Sequence, residues 1–181
     1  MKCKILDANR PEMRSKAEVE TFTRVNDEGV LEEVTKLTYP DGSISVTTKE
    51  IPIEGSGETG DVGSLAVDTS TGKVSCGTGY CNFYHVKVSH LSGLVYGEFY
   101  SDFTLVNGYY DYISSVYDWS ISMAGSYSVT SFRVNKAQEN LSGPAYATLE
   151  WVGTVPGGYY STTFRLRLHV GNDKYYSSAN Y

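Results

Sequence analysis

Tyrosine is the residue type whose placement in this chain most suggests binding. The 181 residues include 16 Tyr, and three groups of them stand at or beside glycine turns: Tyr109, Tyr110 and Tyr112; Tyr159 and Tyr160; Tyr175 and Tyr176. A tyrosine ring offers an apolar face to a sugar or a protein, and its hydroxyl forms hydrogen bonds. We predict that these tyrosines form a binding surface. The alternative is that they cap the core, with one ring of each adjacent pair pointing inward.

Two cysteines stand close enough in sequence to form a disulfide. Cys76 and Cys81 flank a segment that contains Gly77 and Gly79, so the chain can turn between them. Such a bridge is typical of exported proteins, and the short loop limits its stabilisation to about 1–2 kcal/mol. We predict the Cys76–Cys81 disulfide, and the alternative is a pair of free thiols. Cys3 is left over in the N-terminal segment.

The histidines give no metal site by their spacing. His85, His90 and His169 fall on separate predicted strands or at a strand end, where scattered histidines are usually surface residues. Cys81 and His85 share one face of a strand but lie about 13 Å apart, too far for a nucleophile pair. We therefore predict no metal, no cofactor and no catalytic residue among them.

Four carboxylates leave a hydrolase as the alternative function. A glycosidase needs two carboxyl groups at a set separation in a cleft, and the candidates are Asp102, Asp111, Asp118 and Glu150. The sequence does not show whether any two of them meet. Whether the protein is an enzyme is therefore left open, with the non-enzymatic reading favoured.

Charge and hydrophobicity exclude two classes of partner. The net charge is −6 and no cluster of Lys and Arg occurs, which argues against nucleic acid and anionic membranes. No apolar run approaches the ~20 residues of a membrane span. The start of the chain lacks the apolar stretch of a signal peptide. Because the surface residues are mainly Tyr, Ser, Thr, Asn and Gly, we predict a secreted or cell-surface protein whose signal is removed or lies upstream.

The elements that must position these residues are β-strands. Val19–Val25 alternates with period 2, and Leu31–Ile53 reads as a hairpin around the turn Tyr39-Pro40-Asp41-Gly42-Ser43. Six further strands are separated by glycine turns: Asn82–Ser89, Leu94–Val106, Tyr112–Met123, Tyr127–Val134, Ala145–Val155 and Thr162–Val170. Leu65–Asp68 is a short additional strand. Trp119 and Trp151 both lie within strands, and we predict both as core residues.

Strands at this spacing predict an all-β fold, an antiparallel β-sandwich that is immunoglobulin-like or related to that fold. The predicted organisation is a flexible, mobile N-terminal leader (1–17), a strand and hairpin segment (18–54), a glycine-rich linker or loop (55–64) and the main sandwich (65–181). Whether residues 18–54 belong to the same sandwich is left open by the sequence.

The order of strands and turns in the C-terminal half resembles that of a known group of proteins. An alternating strand runs through Phe132-Arg133-Val134, the segment from Ser142 to Leu149 follows, and Phe164-Arg165-Leu166-Arg167-Leu168 closes the pattern. This resembles the uncharacterised secreted β-sandwich proteins of Gram-positive bacteria, over roughly the last 100 residues. The resemblance implies export and a sandwich fold, and it carries over no functional residue.

These observations favour an exported, non-enzymatic binding protein that uses its aromatic-rich turns. The partner is another protein or a cell-surface glycan, and the oligomeric state is not indicated. The alternatives are a small carboxylate-dependent hydrolase of the glycoside type, or an inhibitor or immunity-type protein whose acidic surface suits a basic target.

Overall fold

Nearly all of the described chain is β-strand. The computed structural model describes residues 6–53, 72–154 and 161–180, and it contains two short 3-10 helices, Asp7–Asn9 and Pro11–Lys16. The eleven strands are β1 Glu18–Val25, β2 Leu31–Thr38, β3 Ile44–Glu50, β4 Lys73–Gly77, β5 Tyr80–Ser92, β6 Val95–Val106, β7 Tyr112–Met123, β8 Ser126–Lys136, β9 Ala145–Thr154, β10 Ser161–Val170 and β11 Tyr175–Asn180.

The strands form two antiparallel sheets that face each other. The seven-stranded sheet has the order β1-β2-β3-β5-β6-β7, with β4 pairing β5 as well, and the four-stranded sheet has the order β11-β10-β9-β8. This confirms the predicted all-β sandwich. The chain completes one sheet before it starts the other, so the connections are those of two meanders. An immunoglobulin domain instead alternates between its sheets, so the fold is a related sandwich.

The predicted hairpin is present and belongs to the larger sheet. β2 and β3 pair from Glu32↔Glu50 to Thr38↔Ile44 around the Pro-Asp-Gly turn. β3 then pairs with β5, from Ser45↔Ser92 to Lys49↔Val88. Residues 18–50 therefore extend the same sheet that holds the main strands. The predicted linker 55–64 and strand Leu65–Asp68 lie outside the described residues.

The six later strands occur close to their predicted bounds, and two strands were not predicted. β4 (Lys73–Gly77) and β11 (Tyr175–Asn180) are short and lack a clear apolar alternation. The glycine turns beside them were therefore the only pattern that the sequence showed in these segments. β11 lies beside β3, where the Lys49 amino group donates to the Tyr175 carbonyl at 2.8 Å. The Tyr175 hydroxyl donates to the Glu50 carbonyl, also at 2.8 Å. These two bonds join the sheets along one side.

The core lies between the sheets and is built around Trp151. Trp151 is 1% exposed and stacks on Phe164, with ring centroids 5.3 Å apart. On the opposite sheet the indole meets Gly97, where an added Cβ would come within 2.6 Å of a ring carbon. A side chain at position 97 would therefore force the two sheets apart or turn the indole, because cores are close-packed.

Trp119 is not a core residue, contrary to the prediction: it lies in a β-bulge of β7, the last strand of its sheet, where the alternation is interrupted. Opposite Phe99 of β6, strand β7 has two residues, Asp118 and Trp119, between the pairs Tyr100↔Tyr117 and Glu98↔Ser120. The extra residue interrupts the alternation, and Asp118 takes a left-handed φ of 50°. The Trp119 side chain is 39% exposed.

A second bulge explains another difference from simple alternation. Tyr84 and His85 of β5 lie between the pairs Phe83↔Phe103 and Val86↔Ser101, and His85 has a φ of 53°. Because of this extra residue, Phe83 and Val86 both face the core, although an unbroken period of 2 places them on opposite faces. Phe83 stacks on Phe103 at a centroid distance of 4.8 Å.

The segment predicted as a flexible leader is packed in the structure from Asp7 onward. The Ala8 side chain is fully buried, its N–H donates to Ser43 Oγ at 2.9 Å, and its carbonyl accepts from Ser92 Oγ at 2.8 Å. Arg14 reaches the other sheet and donates to the Ala179 carbonyl. Ala8 also packs with Leu37 and Tyr39 in a small apolar cluster that Met13 and Ala17 join, so single apolar residues and hydrogen bonds hold the segment without an apolar period.

We expect the Gly97→Ala substitution to lower the free energy of unfolding by about 1–3 kcal/mol, because the new methyl group overlaps the Trp151 indole. Urea unfolding measures the change. Gly77→Ala is the matched control in a strand, since its Cβ would meet only the Tyr80 ring, which is 46% exposed and can turn away. Equal stability losses in the two variants would contradict the role given to the Gly97–Trp151 contact.

Candidate functional site

Four chain connections meet at one end of the sandwich, which we call the loop end. They are the β4–β5 turn at 78–79, the β6–β7 loop at 107–111, the β8–β9 loop at 137–144 and the β10–β11 turn at 171–174. The strand registers bring these segments together, because Tyr80 pairs with Val106 and Val170 pairs with Ala145. Loops that a sheet scaffold holds at one end are a common place for binding residues.

Asp111 is the centre of a hydrogen-bond network at the loop end. Its carboxylate is buried, with Oδ1 accepting from the Val106 N–H at 2.7 Å and Oδ2 from the Asp173 N–H at 2.9 Å. The pKa of Asp111 is raised, chiefly because burial disfavours the ionised form. One buried side chain thus ties the β6–β7 loop to the β10–β11 turn.

Glu139 adds the β8–β9 loop to this network. Its N–H donates to the Asp111 carbonyl at 2.8 Å, and its Oε2 accepts from the Asp111 N–H at 3.4 Å. Its Oε1 accepts from the Asn172 N–H at 3.1 Å. Asn172 and Asp173 have left-handed φ values of 58° and 57°, which Asn and Asp tolerate better than most residues. Three loops are therefore held in fixed relative positions.

The β8–β9 loop is stiffened by its own polar contacts. Lys136 Nζ donates to Asn140 Oδ1 and to the Gly143 carbonyl, both at 2.7 Å. Asn140 Oδ1 also accepts from the Ser142 N–H at 2.9 Å. These bonds leave Leu141 at the tip of the loop, where it is 99% exposed. An apolar side chain this exposed on a braced loop is a candidate contact for a partner.

An open cleft of ≈ 790 Å³ lies between these loops. Tyr109 and Tyr110 line one side, with ring centroids 5.7 Å apart, and Tyr109 is 73% exposed. The rest of the lining is mostly polar, and the full set is Gly108, Tyr109, Tyr110, Glu139, Asn140, Leu141, Gly143, Asn172 and Asp173. The cleft offers aromatic and aliphatic surface together with amide and carboxylate groups.

A smaller cleft of ≈ 380 Å³ adjoins the first at Asp173. Tyr80, Phe83 and Leu105 line it beside the cysteine pair. The sulfurs of Cys76 and Cys81 lie 2.03 Å apart, at disulfide distance. Since these cysteines face each other across the β4–β5 hairpin, they brace the fourth connection of the loop end.

The structure brings only part of the predicted tyrosine set together. Tyr109 and Tyr110 line the main cleft, while Tyr112 starts β7 and is 38% exposed outside it. The Tyr175 ring packs inward on Phe103, at a centroid distance of 4.7 Å, so it is a core residue.

Tyr176 is also separate from the loop-end cleft. It points outward from the four-stranded sheet and stacks on His169, at a centroid distance of 4.6 Å. Tyr175 and Tyr176 thus follow the alternative reading, in which one ring of a pair points inward. Tyr159 and Tyr160 lie outside the described residues, so their placement stays a prediction.

Sequence reasoning missed Leu141, Glu139 and Asn172 as site residues. The available signal was a leucine inside the turn sequence Asn140-Leu141-Ser142-Gly143, where an apolar residue has no local structural role. Glu139 and Asn172 gave no signal, because their contacts depend on loops that are distant in sequence.

The three histidines lie in three different parts of the molecule. His85 stacks on Tyr100 on the outer face of the larger sheet, and His169 lies on the outer face of the smaller one. His90 is buried rather than on the surface, and its Nδ1 lies 2.7 Å from Thr47 Oγ1. Burial, assisted by the charge of Arg14, lowers the pKa of His90 to about 3. No group of His, Cys, Asp and Glu suited to a metal occurs among the described residues.

Three of the four candidate carboxylates, Asp102, Asp111 and Glu150, lie in different parts of the molecule. Asp102 accepts from Tyr117 Oη at 2.6 Å and from Ser115 Oγ at 3.0 Å on the larger sheet. The Arg165 guanidinium lowers the pKa of Glu150 on the outer face of the smaller sheet.

Asp111 is buried at the loop end and Asp118 sits in the bulge of β7. The structure therefore places Asp102, Asp111 and Glu150 in three different parts of the molecule. Within 6–53, 72–154 and 161–180, no helix is long and apolar enough to cross a membrane.

We expect Asp111→Asn to be less stable than the wild type by about 1–3 kcal/mol. The NH2 group of the asparagine would replace one carboxylate oxygen and could not accept the hydrogen bond that a backbone N–H donates to that oxygen. The raised pKa of Asp111 adds a pH dependence. Its contribution to wild-type stability is fully present below the unfolded pKa of about 3.9 and is lost as the pH rises through the folded value. The stability difference between the two proteins should therefore shrink from about pH 4 upward.

Urea unfolding of both proteins across this pH range measures the difference. The Asp118→Asn variant, which removes an exposed carboxylate, controls for the loss of one charge. A difference that grows with pH would contradict the assignment.

The chain matches no protein-family model, no curated protein and no solved structure. The resemblance to secreted proteins of Gram-positive bacteria therefore stays a prediction, and function must be argued from the loop end itself.

Proposed function

We propose that this chain is an exported, non-enzymatic binding protein that holds a partner protein at the loop-end cleft. The observation that carries the proposal is Leu141, 99% exposed at the tip of a loop whose polar groups are hydrogen-bonded. Burying a leucine side chain against an apolar surface is worth about 1.5–3 kcal/mol. A hydroxyl-rich glycan offers little surface of that kind, so Leu141 favours a protein partner.

The composition of the cleft supports the same proposal. Its lining combines Tyr109 and Tyr110 with Asn, Gly and acidic residues on loops at one end of a sandwich. Antibody paratopes use the same combination, in which tyrosines supply contact area at a low entropic cost and short polar residues supply hydrogen bonds. The similarity is limited to the types of residue at the binding surface, since the strand connections differ from those of an immunoglobulin domain.

The loop end is already ordered before any partner binds. Asp111 and Glu139 hold three loops through bonds of 2.7–3.4 Å, and the Cys76–Cys81 pair braces the fourth connection. Binding costs less free energy when the loops need not be ordered at the same time. Because many polar groups of the loops already form hydrogen bonds within the protein, the exposed tyrosines and Leu141 are the side chains that would gain most free energy from contact with a partner.

A glycan partner is the second candidate, favoured by the polar part of the lining. Glu139, Asn140, Asn172 and Asp173 line the same cleft as the exposed ring of Tyr109. Sugar hydroxyls hydrogen-bond to such groups while a ring face stacks on tyrosine. A hydrolase has less support, since Asp102, Asp111 and Glu150 lie in three different parts of the molecule. An inhibitor or immunity role is a special case of protein binding, in which the net charge of −6 attracts a basic target.

Export is part of the proposal and rests on the cysteine pair. A pair at disulfide distance beside the binding loops suits an oxidising compartment, where such bonds persist. Fractionation of the native cells tests this point. Recovery of the protein only from the reducing interior, with Cys76 and Cys81 as free thiols, would contradict export while leaving the binding proposal standing.

We expect the wild-type protein to bind members of an array of purified extracellular proteins, and the Tyr109→Ala/Leu141→Ala variant to bind them at least tenfold more weakly, because two exposed anchors are lost. Tyr127→Ala is the matched control. Tyr127 is 44% exposed and lies near the β7–β8 turn, at the opposite end of the sandwich.

A parallel glycan array separates the two partner classes. Binding to glycans alone, lost in the same double variant, would replace the protein partner with a glycan. If the wild-type protein binds nothing on either array, or if Tyr127→Ala loses as much binding as the double variant, the proposed site is overturned.

A further inference from the structure

Strand β1 is an open edge of the seven-stranded sheet. It pairs with β2 from Glu18↔Thr38 to Val25↔Leu31, and no second strand pairs with it in the part of the chain that the structure describes. All eight of its residues are exposed, with Val19 at 61% and Val25 at 63%. The exposed valines therefore offer apolar surface along the strand.

The turn between β1 and β2 shows which backbone groups face outward. The Asn26 N–H donates to the Val30 carbonyl at 2.8 Å, so Asn26 is a hydrogen-bonded position of the ladder. In an antiparallel pair such positions alternate, so Glu20, Phe22 and Arg24 also direct their backbone groups to β2. The N–H and C=O groups of Val19, Thr21, Thr23 and Val25 therefore point to the free edge.

This edge lacks several of the features that usually block edge-to-edge pairing, and its charged residues, Glu18, Glu20 and Arg24, are of both signs. β1 contains no proline, no lysine and no bulge, and its register with β2 is unbroken over all eight pairs. Natural edge strands are commonly protected by such features, because unpaired backbone groups are a template for another strand. An edge strand of this length without proline, lysine or a bulge is suited to accept one when the charges of the second strand are complementary.

The residues of β1 are complementary to a second copy of the same strand. From Val19 to Val25 the sequence reads Val-Glu-Thr-Phe-Thr-Arg-Val, which is symmetric about Phe22 except that Glu20 is matched by Arg24. Reversing the strand therefore places valine opposite valine, threonine opposite threonine and glutamate opposite arginine. Each of these is a favourable cross-strand pair.

We propose that two copies of this chain pair through their β1 strands, antiparallel and centred on Phe22. In this register Val19 faces Val25 of the second copy, Thr21 faces Thr23, and the two Phe22 residues lie on the two-fold axis. The residues that face each other across hydrogen bonds are those whose backbone groups point to the free edge. Four such pairs with two bonds each give about eight new hydrogen bonds.

The charges agree with this register. Glu20 of one copy faces Arg24 of the other, twice across the axis. Arg24 also lies 3.2 Å from Glu32 of its own chain, but a guanidinium has five N–H donors and can serve both carboxylates. The same register is isologous, so it closes after two copies rather than growing into a fibre.

A neighbouring register is less complementary. Centring the pair on Thr21 also directs outward-facing groups at each other, but it places Glu20 opposite Phe22 and Val19 opposite Thr23. That arrangement loses the valine pairs and the aromatic contact on the axis. The two registers differ in which residue meets its own copy, so they can be distinguished chemically.

Sedimentation across a concentration series tests the pairing itself. We expect a dimer for the wild type and for Thr21→Val, and a monomer for Thr21→Pro, which removes an outward N–H without touching the bonds to β2. Circular dichroism and thermal unfolding confirm that Thr21→Pro is folded. A monomeric wild type, or a dimer that survives Thr21→Pro, overturns the proposal.

Cysteine cross-linking tests the register, in a Cys3→Ser background that removes the unpaired thiol. Phe22→Cys should form a covalent dimer under mild oxidation, because non-hydrogen-bonded partners have Cα atoms about 4.5 Å apart. Thr21→Cys is the matched control and should stay monomeric on a non-reducing gel, since its own copy is displaced by two residues. Cross-linking of Thr21→Cys but not Phe22→Cys overturns the Phe22-centred register.

Discussion

The contact between the Trp151 indole and the bare backbone of Gly97 sets how closely the two sheets approach. Any Cβ at position 97 would lie 2.6 Å from the ring, so the spacing of the sheets depends on glycine at this point. Phe164 stacks on the other side of the indole, and the buried residues of β9 and β10 continue this layer. Because the core is close-packed, a change in this spacing is transmitted to the strand ends.

The loop end depends on that fixed spacing. Asp111 belongs to the larger sheet's β6–β7 loop, while its partners Asp173 and Glu139 belong to loops of the smaller sheet. Hydrogen bonds of 2.8–2.9 Å between them require the two sheets to keep one separation. The polar network cannot set this distance alone, since a buried carboxylate is costly unless its bonds are complete. The apolar core therefore positions the network, and the network positions Tyr109 and Leu141.

Alternation and turn chemistry were enough to predict most strands, and they failed where the backbone inserts one residue. Trp119 was expected in the core and lies in a bulge, where it is exposed, and a second bulge brings Phe83 and Val86 to the same face, where an unbroken alternation would separate them. A bulge leaves little trace in the sequence, because His85 and Asp118 hold left-handed conformations without glycine. The tyrosines of the β6–β7 loop could be predicted from their glycine turn. Leu141 and Glu139 could not, since their roles arise from contacts between loops far apart in sequence.

The two surfaces argued above are linked by geometry. Antiparallel pairing of two β1 strands relates the copies by a two-fold axis perpendicular to the sheet, so the loop ends point in opposite directions along the strands. Two clefts arranged in this way cannot close on one small partner. They can instead bridge two partners, or two sites on one surface, and each binding event then raises the effective concentration for the next. Two clefts that each bind weakly can then give tight overall binding. This suits a site that is built from a few exposed side chains on loops held by hydrogen bonds.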